Sequence, residues 1–180
     1  MKWFNHKHTA GAIVFAFTGN PLPVIPAVLG SIIPDLLEGM PDEEDPDQYN
    51  EWRKKHRRLT HWFVPYLTVF VVLYLFVSHK GISHLGYGEI YSLFHKREYL
   101  YAIIAYILCF AALGGLIHIA ADSICGKVPS VNPHKRVGVK MFKVGSLLEY
   151  VIAFAITLTM LQISGVPVLK TISNILHRSL

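Results

Sequence analysis

Between Tyr99 and Ala121 the chain runs 23 residues without one Asp, Glu, Lys or Arg. As a helix that stretch is about 35 Å long, more than the roughly 30 Å hydrocarbon core of a bilayer. Three more apolar blocks accompany it: Thr9 to Pro34, Trp62 to Ser78 and Tyr150 to Leu169. The 180 residues are 52% hydrophobic and 16% charged, where soluble domains carry about 25% charged residues. Gathered into blocks, this excess of apolar residues indicates an all-α integral membrane bundle forming a single domain over residues 1–180.

The first block carries no charge, but Asn20, Pro21, Pro23 and Pro26 interrupt its middle. Proline lacks the N–H that a helix needs and clashes with the preceding turn. Two short helices, near 8–19 and 25–37, joined by a proline turn are therefore expected. Each is about 18 Å long, too short to cross, so the pair reads as a re-entrant hairpin covered by protein. The other three blocks read as spans, the second near the lower length limit. Trp62, Tyr99, Tyr101 and Tyr150 stand at block ends, where amphipathic rings favour the interface. Lys2 and Lys7 precede the first block as in a signal peptide, but no small-residue cleavage site follows, so the segment is expected to be retained.

The formal charge of +5 does not indicate nucleic acid, because the basic residues flank apolar blocks and no binding motif accompanies them. Cys109 and Cys125 form no CxxC and read as buried, inert thiols. Glu38 to Arg58 is a polar connection with an acidic and a basic half. Its acidic half reads as a solvated loop, since it lacks the glycine and final glutamate of an EF-hand. With the first block as a hairpin, one side of the membrane receives His6, His8, Asp35, His56, His61, His118, Asp122 and Glu149. Twelve Lys and Arg fall on that side and five on the other, which places it in the cytoplasm.

His118 and Asp122 are four apart, so on a helix they share a face. Ionisable groups at the end of a membrane segment are costly unless paired or bound. Imidazole and carboxylate together suit a divalent metal, although spacing alone fits a hydrogen-bonded pair joining helices equally well. His56 and His61 are about 140° apart on a regular helix and cannot converge if both are helical. His56 is therefore expected in the loop, with His61 at a helix start and Thr60 as its N-cap. His6 reads as a neighbour of the site. His79, His84, His95, His134 and His177 read as surface residues, Gly114-Gly115 as a close helix crossing, and Pro129 and Asn132-Pro133 as loop punctuation.

Five segments in order, His8-Thr-Ala-Gly11, Gly30-Ser-Ile-Ile-Pro34-Asp35, His56-Arg-Arg-Leu-Thr-His61, His118-Ile-Ala-Ala-Asp122 and Gly145-Ser-Leu-Leu-Glu149, resemble the YdjM-like family of membrane-bound metal-dependent hydrolases. A looser similarity connects them to the zinc-dependent phospholipase C and single-strand nuclease superfamily. The resemblance implies a multi-pass protein of the bacterial inner membrane holding one to three divalent ions, zinc or else manganese or iron. The implied metal ligands are His8, Asp35, His56, His61, His118 and Asp122. Arg57, with Arg58, is expected to hold an anionic group, and Glu149 to orient a ligand or to sit at the membrane interface. The implied activity is hydrolysis of a phosphoester or other ester in a membrane or lipid-linked substrate.

Two departures stand out. Leu37 lies where the family carries a second acid, with Glu38 next to it about 100° round a helix, and Arg58 replaces a glycine. A non-catalytic scaffold or partner subunit with a structural metal is the rival reading. A transporter fits less well, because the residues cluster at block ends and no repeat is visible.

Overall fold

A computed structural model describes residues 1–39, 45–83, 85–94 and 99–167. His84, His95, His177 and the Leu169 end of the fourth apolar block lie outside the described residues. The chain is mostly helical: α1 (Trp3–Thr18), α2 (Val24–Gly30), α3 (Ile33–Glu38), α4 (Pro46–Lys55), α5 (Phe63–His79), α6 (Tyr87–Phe94), α7 (Leu100–Cys125) and α8 (Leu147–Ile163). A 3₁₀ turn at Leu59–His61 leads into α5, and a two-stranded antiparallel ribbon, β1 (Val128–Pro129) and β2 (Arg136–Val137), follows α7.

The N-terminal hairpin forms, with shifted boundaries. α1 begins at Trp3 and closes on Gly19 in the left-handed conformation (φ 62°), whose N–H bonds the Phe15 carbonyl. Asn20 ties the turn together, accepting from Leu22 N at 2.9 Å and donating to the Leu85 carbonyl at 2.8 Å. The return limb is broken into α2 and α3, because Pro34 has no N–H to continue the ladder. The break at Ser31 and Ile32 is used by the site described below.

α7 is the central element, packing on α1, α2, α3, α5 and α6. It crosses α2 at backbone contact: a Cβ on Gly114 would stand 2.0 Å from the Ala27 carbonyl oxygen, and one on Gly30 equally close to that of Ala111. Close approach through small residues is how helices associate where lipid removes the usual hydrophobic drive. Around the crossing, Val14, Ala27, Ile103, Tyr106 and Phe110 form one apolar core. A second core gathers Ala121, Cys125, Phe142 and Ala153 at the other end of α7.

Among the described residues, two helices are long and apolar enough to cross a membrane: α7, and α5 extended by its 3₁₀ turn. α8, expected as a third span, has 17 residues and falls short of that length. Part of the acidic half expected to be a solvated loop, from Pro46 on, is the start of helix α4. α4 was legible, since Asp45 caps the N–H groups of Asp47 and Gln48 and Pro46 occupies the first helical position, a standard N-terminal pair. α6 lies between α5 and α7. Thr60 is not the cap of α5. Trp62 holds that position without a side-chain bond, and the Thr60 hydroxyl is turned to Glu38 instead.

Candidate metal centre

Four side chains from three segments meet where the two cores adjoin. Asp35 comes from α3, His61 from the 3₁₀ turn, and His118 and Asp122 from successive turns of α7. Pro34 starts α3 in a new direction, and Asp35 in its first turn faces α7. One donor atom from each residue lies within 4.8 Å of all the others.

The separations are informative. Asp35 Oδ1 is 3.3 Å from His61 Nε2 and 3.4 Å from His118 Nε2. Asp122 Oδ2 is 3.5 Å from His61 Nε2 and 3.7 Å from His118 Nε2. The two Nε2 atoms are 3.1 Å apart. These five spacings are near the roughly 3.4 Å between donors that share one zinc-like ion at about 2.1 Å.

Hydrogen bonds fix the rings so that their lone pairs face inward. His118 Nδ1 donates to the Ser31 carbonyl at 2.6 Å, which the break between α2 and α3 makes available. His61 Nδ1 pairs with Glu38 Oε1 at 2.9 Å. With both Nδ1 atoms engaged outward, the two Nε2 atoms face each other and two carboxylates. Such an arrangement needs a cation, either a proton or a metal ion. An outward hydrogen bond from each ligating imidazole is the usual support of a metal site. Buried Asp35 Oδ1 has no aligned hydrogen-bond donor, as suits an atom whose partner is an ion. The donor set, two imidazoles and two carboxylates without thiolate, fits zinc, manganese or iron.

Glu38 organises the approach to His61. It contacts His56 Nδ1 closely and accepts from Arg57 N at 2.7 Å and from the Thr60 hydroxyl. Burial raises the Glu38 pKa, but these bonds from His56, His61 and Thr60 outweigh it and hold the carboxyl below the usual range. At Asp35, burial is likewise overcome by the His118 and His61 rings, leaving the group ionised. Leu37, by contrast, is exposed. The acid of this segment therefore lies behind His61, one residue beyond the position that the family resemblance indicates.

The remaining expected residues fall around the four. His56 caps the end of α4 and faces Glu38, with its ring stacked on Trp52 at 4.3 Å, so it stands behind His61. His8 is turned to α8, where its Nδ1 meets the Thr157 hydroxyl at 2.6 Å. Arg57 is buried and committed to Asp122, with Nε 2.6 Å from Oδ2 and Nη2 3.0 Å from Oδ1. It is the only non-glycine residue with positive φ among the described residues (61°). Arg58 is exposed. Buried Glu149 accepts from the N–H groups of Lys2 and Gly145 and from the Asn5 amide, all at 2.6 Å, and so ties the start of α1 to α8.

His6 reaches the centre in place of His8. Its ring stacks on His118 with centroids 3.7 Å apart, and its Nε2 lies 3.3 Å from Asp122 Oδ1. Neither of its nitrogens makes an aligned hydrogen bond. Burial lowers its pKa from 6.5 to about 4, so the ring is neutral. The amino group of Met1 also contacts Asp122. His6 and His8, two apart, lie on different faces of α1, and periodicity alone does not say which face meets α7.

No family model, curated protein or solved structure matches the chain.

Proposed function

We propose that the protein is a membrane-bound metal-dependent hydrolase acting on a phosphoester or other ester of a membrane or lipid-linked substrate. The observation that carries the reading is the convergence of Asp35, His61, His118 and Asp122 at metal-ligand spacing with both imidazoles oriented from behind. A bound divalent ion supplies Lewis acidity and lowers the pKa of water toward neutrality. The chain's own residues hold that ion and set its surroundings. Asp122 and the two histidines are sealed from solvent, while the Asp35 side chain is 14% exposed, so the substrate side is the Asp35 side. There the Trp3 indole donates to Asp35 Oδ2 at 2.8 Å, and the neighbouring Phe4, Leu36 and Leu37 are exposed. An apolar rim beside the one accessible ligand suits a substrate presented from lipid.

The five motifs resembling the YdjM-like family support the same reading, along with a multi-pass inner-membrane location and a cytoplasm-facing centre. A second reading, a structural metal in a scaffold or partner subunit, is favoured by one feature: four protein donors can close a tetrahedral site and leave no water position.

Two experiments decide. Metal analysis of detergent-purified wild type, His118→Ala and Asp122→Ala is expected to show metal in the first alone. Equal content in all three would sink the centre. Assay of the metal-loaded protein on phosphodiester and lipid-ester substrates then separates enzyme from scaffold. Turnover lost in His118→Ala supports the hydrolase, and inactivity of fully loaded protein across the panel favours the scaffold.

A further inference from the structure

Asp122 presents its two oxygens to different surroundings. Oδ2 faces His61 and His118 within the four-atom cluster, with Arg57 Nε 2.6 Å away. Oδ1 faces outward, toward the Met1 amino group, His6 Nε2 at 3.3 Å and Arg57 Nη2 at 3.0 Å. A carboxylate with one oxygen on each of two ions is the usual bridge of two-metal hydrolytic sites, whose ions lie about 3.5–4 Å apart. The spacing of His6 Nε2 and Asp122 Oδ1 is that of two donors on one ion. His6 is fully buried and neither of its nitrogens makes an aligned hydrogen bond, which in a buried polar group calls for an explanation.

Resting on the metal-centre reading, we infer that the protein carries a latent second cation position between His6 and Asp122 Oδ1. The guanidinium of Arg57 fills the role of that second cation and keeps the centre mononuclear.

Three features support the assignment. Arg57 adopts a left-handed backbone (φ 61°), costly for a residue with a side chain and tolerated where the surroundings enforce it. Gly126, in extended backbone that any residue adopts, leaves room for the guanidinium: a Cβ there would stand 2.4 Å from Arg57 Nη1. The cation is also permanent. The guanidinium grips both oxygens of the carboxylate, whereas the Met1 amino group contacts Oδ1 alone. A divalent ion at Oδ1 would therefore meet a fixed positive charge within a few ångströms, in a setting too buried for water to screen it.

The test is the stoichiometry of zinc on detergent-purified protein by equilibrium dialysis, with wild type, Arg57→Gly, Arg57→Gly/His6→Ala and Gly126→Ala compared. Glycine suits the left-handed position, and Gly126→Ala displaces the guanidinium while leaving it in the chain. Wild type is expected to bind about one zinc, and Arg57→Gly about two, as in two-metal sites. The double variant should return to the wild-type value, and Gly126→Ala should fall between. A wild type that binds none overturns the metal centre and this inference with it. A wild type that already binds two, or an Arg57→Gly protein that stays at one, overturns the inference alone. Should Arg57→Gly not fold, Gly126→Ala decides: a rise above the wild-type value supports the inference and an unchanged value overturns it.

Discussion

The two carboxylates of the centre are held differently. Asp122 is sealed from solvent and surrounded by Arg57, His6, His61, His118 and the Met1 amino group. Asp35 is partly open, with one oxygen on the Trp3 indole and the other on no aligned donor. The difference separates an anchor that the fold itself depends on from a ligand that the fold can spare. Ligand loss and fold loss should therefore part company between the two sides.

Asp122→Ala is expected to have the largest effect. It removes a ligand and strands the buried guanidinium of Arg57, and breaking a buried pair from one side costs about 3–5 kcal/mol. Both metal and thermal stability should fall, and a metal-free Tm equal to wild type would erase the contrast. Asp35→Ala should lose metal as well, yet keep the Tm of the chelator-treated wild type. A matching fall in that Tm would show Asp35 to be an anchor too.

Glu38→Gln tests the support behind His61. Loss of such an outer partner typically costs about 10–100-fold in metal affinity, read by competition with a chelator; an unchanged affinity would mean that His61 is oriented by packing. Leu37→Asp should have the smallest effect. The side chain is exposed, so metal stoichiometry is expected to stay at the wild-type value, and a gain would show that α3 can turn.

Metal removal sharpens the comparison in another way. An ion that binds only the folded chain stabilises it by about 4 kcal/mol at a thousandfold excess over Kd. Chelator should thus lower the Tm of wild type and leave that of Asp122→Ala unmoved.

His118 and Asp122 were legible because α7 is a long, uninterrupted apolar stretch on which residues four apart must share a face. Asp35 and His61 were legible as block-end residues, and the prolines marked the hairpin. The division of labour between His56 and His61 was hidden, since it depends on Glu38 standing between them. Likewise the choice of His6 over His8 depends on the rotation of α1, which Glu149 sets from α8. The backbone carbonyl of Ser31 leaves no trace in side-chain chemistry at all. α8 shows the limit of composition: its apolar character is plain, but its described length stops short of a span.

The donors stand at positions 35, 61, 118 and 122, and their order along the chain has a consequence for biosynthesis. A nascent chain that has not yet released the end of α7 offers two donors at most, one carboxylate and one imidazole. A metal ion held by all four would be captured with full coordination only after α7 has crossed α2 at Gly30 and Gly114. Loading of such an ion would thereby be a late event, able to distinguish a finished molecule from an arrested one.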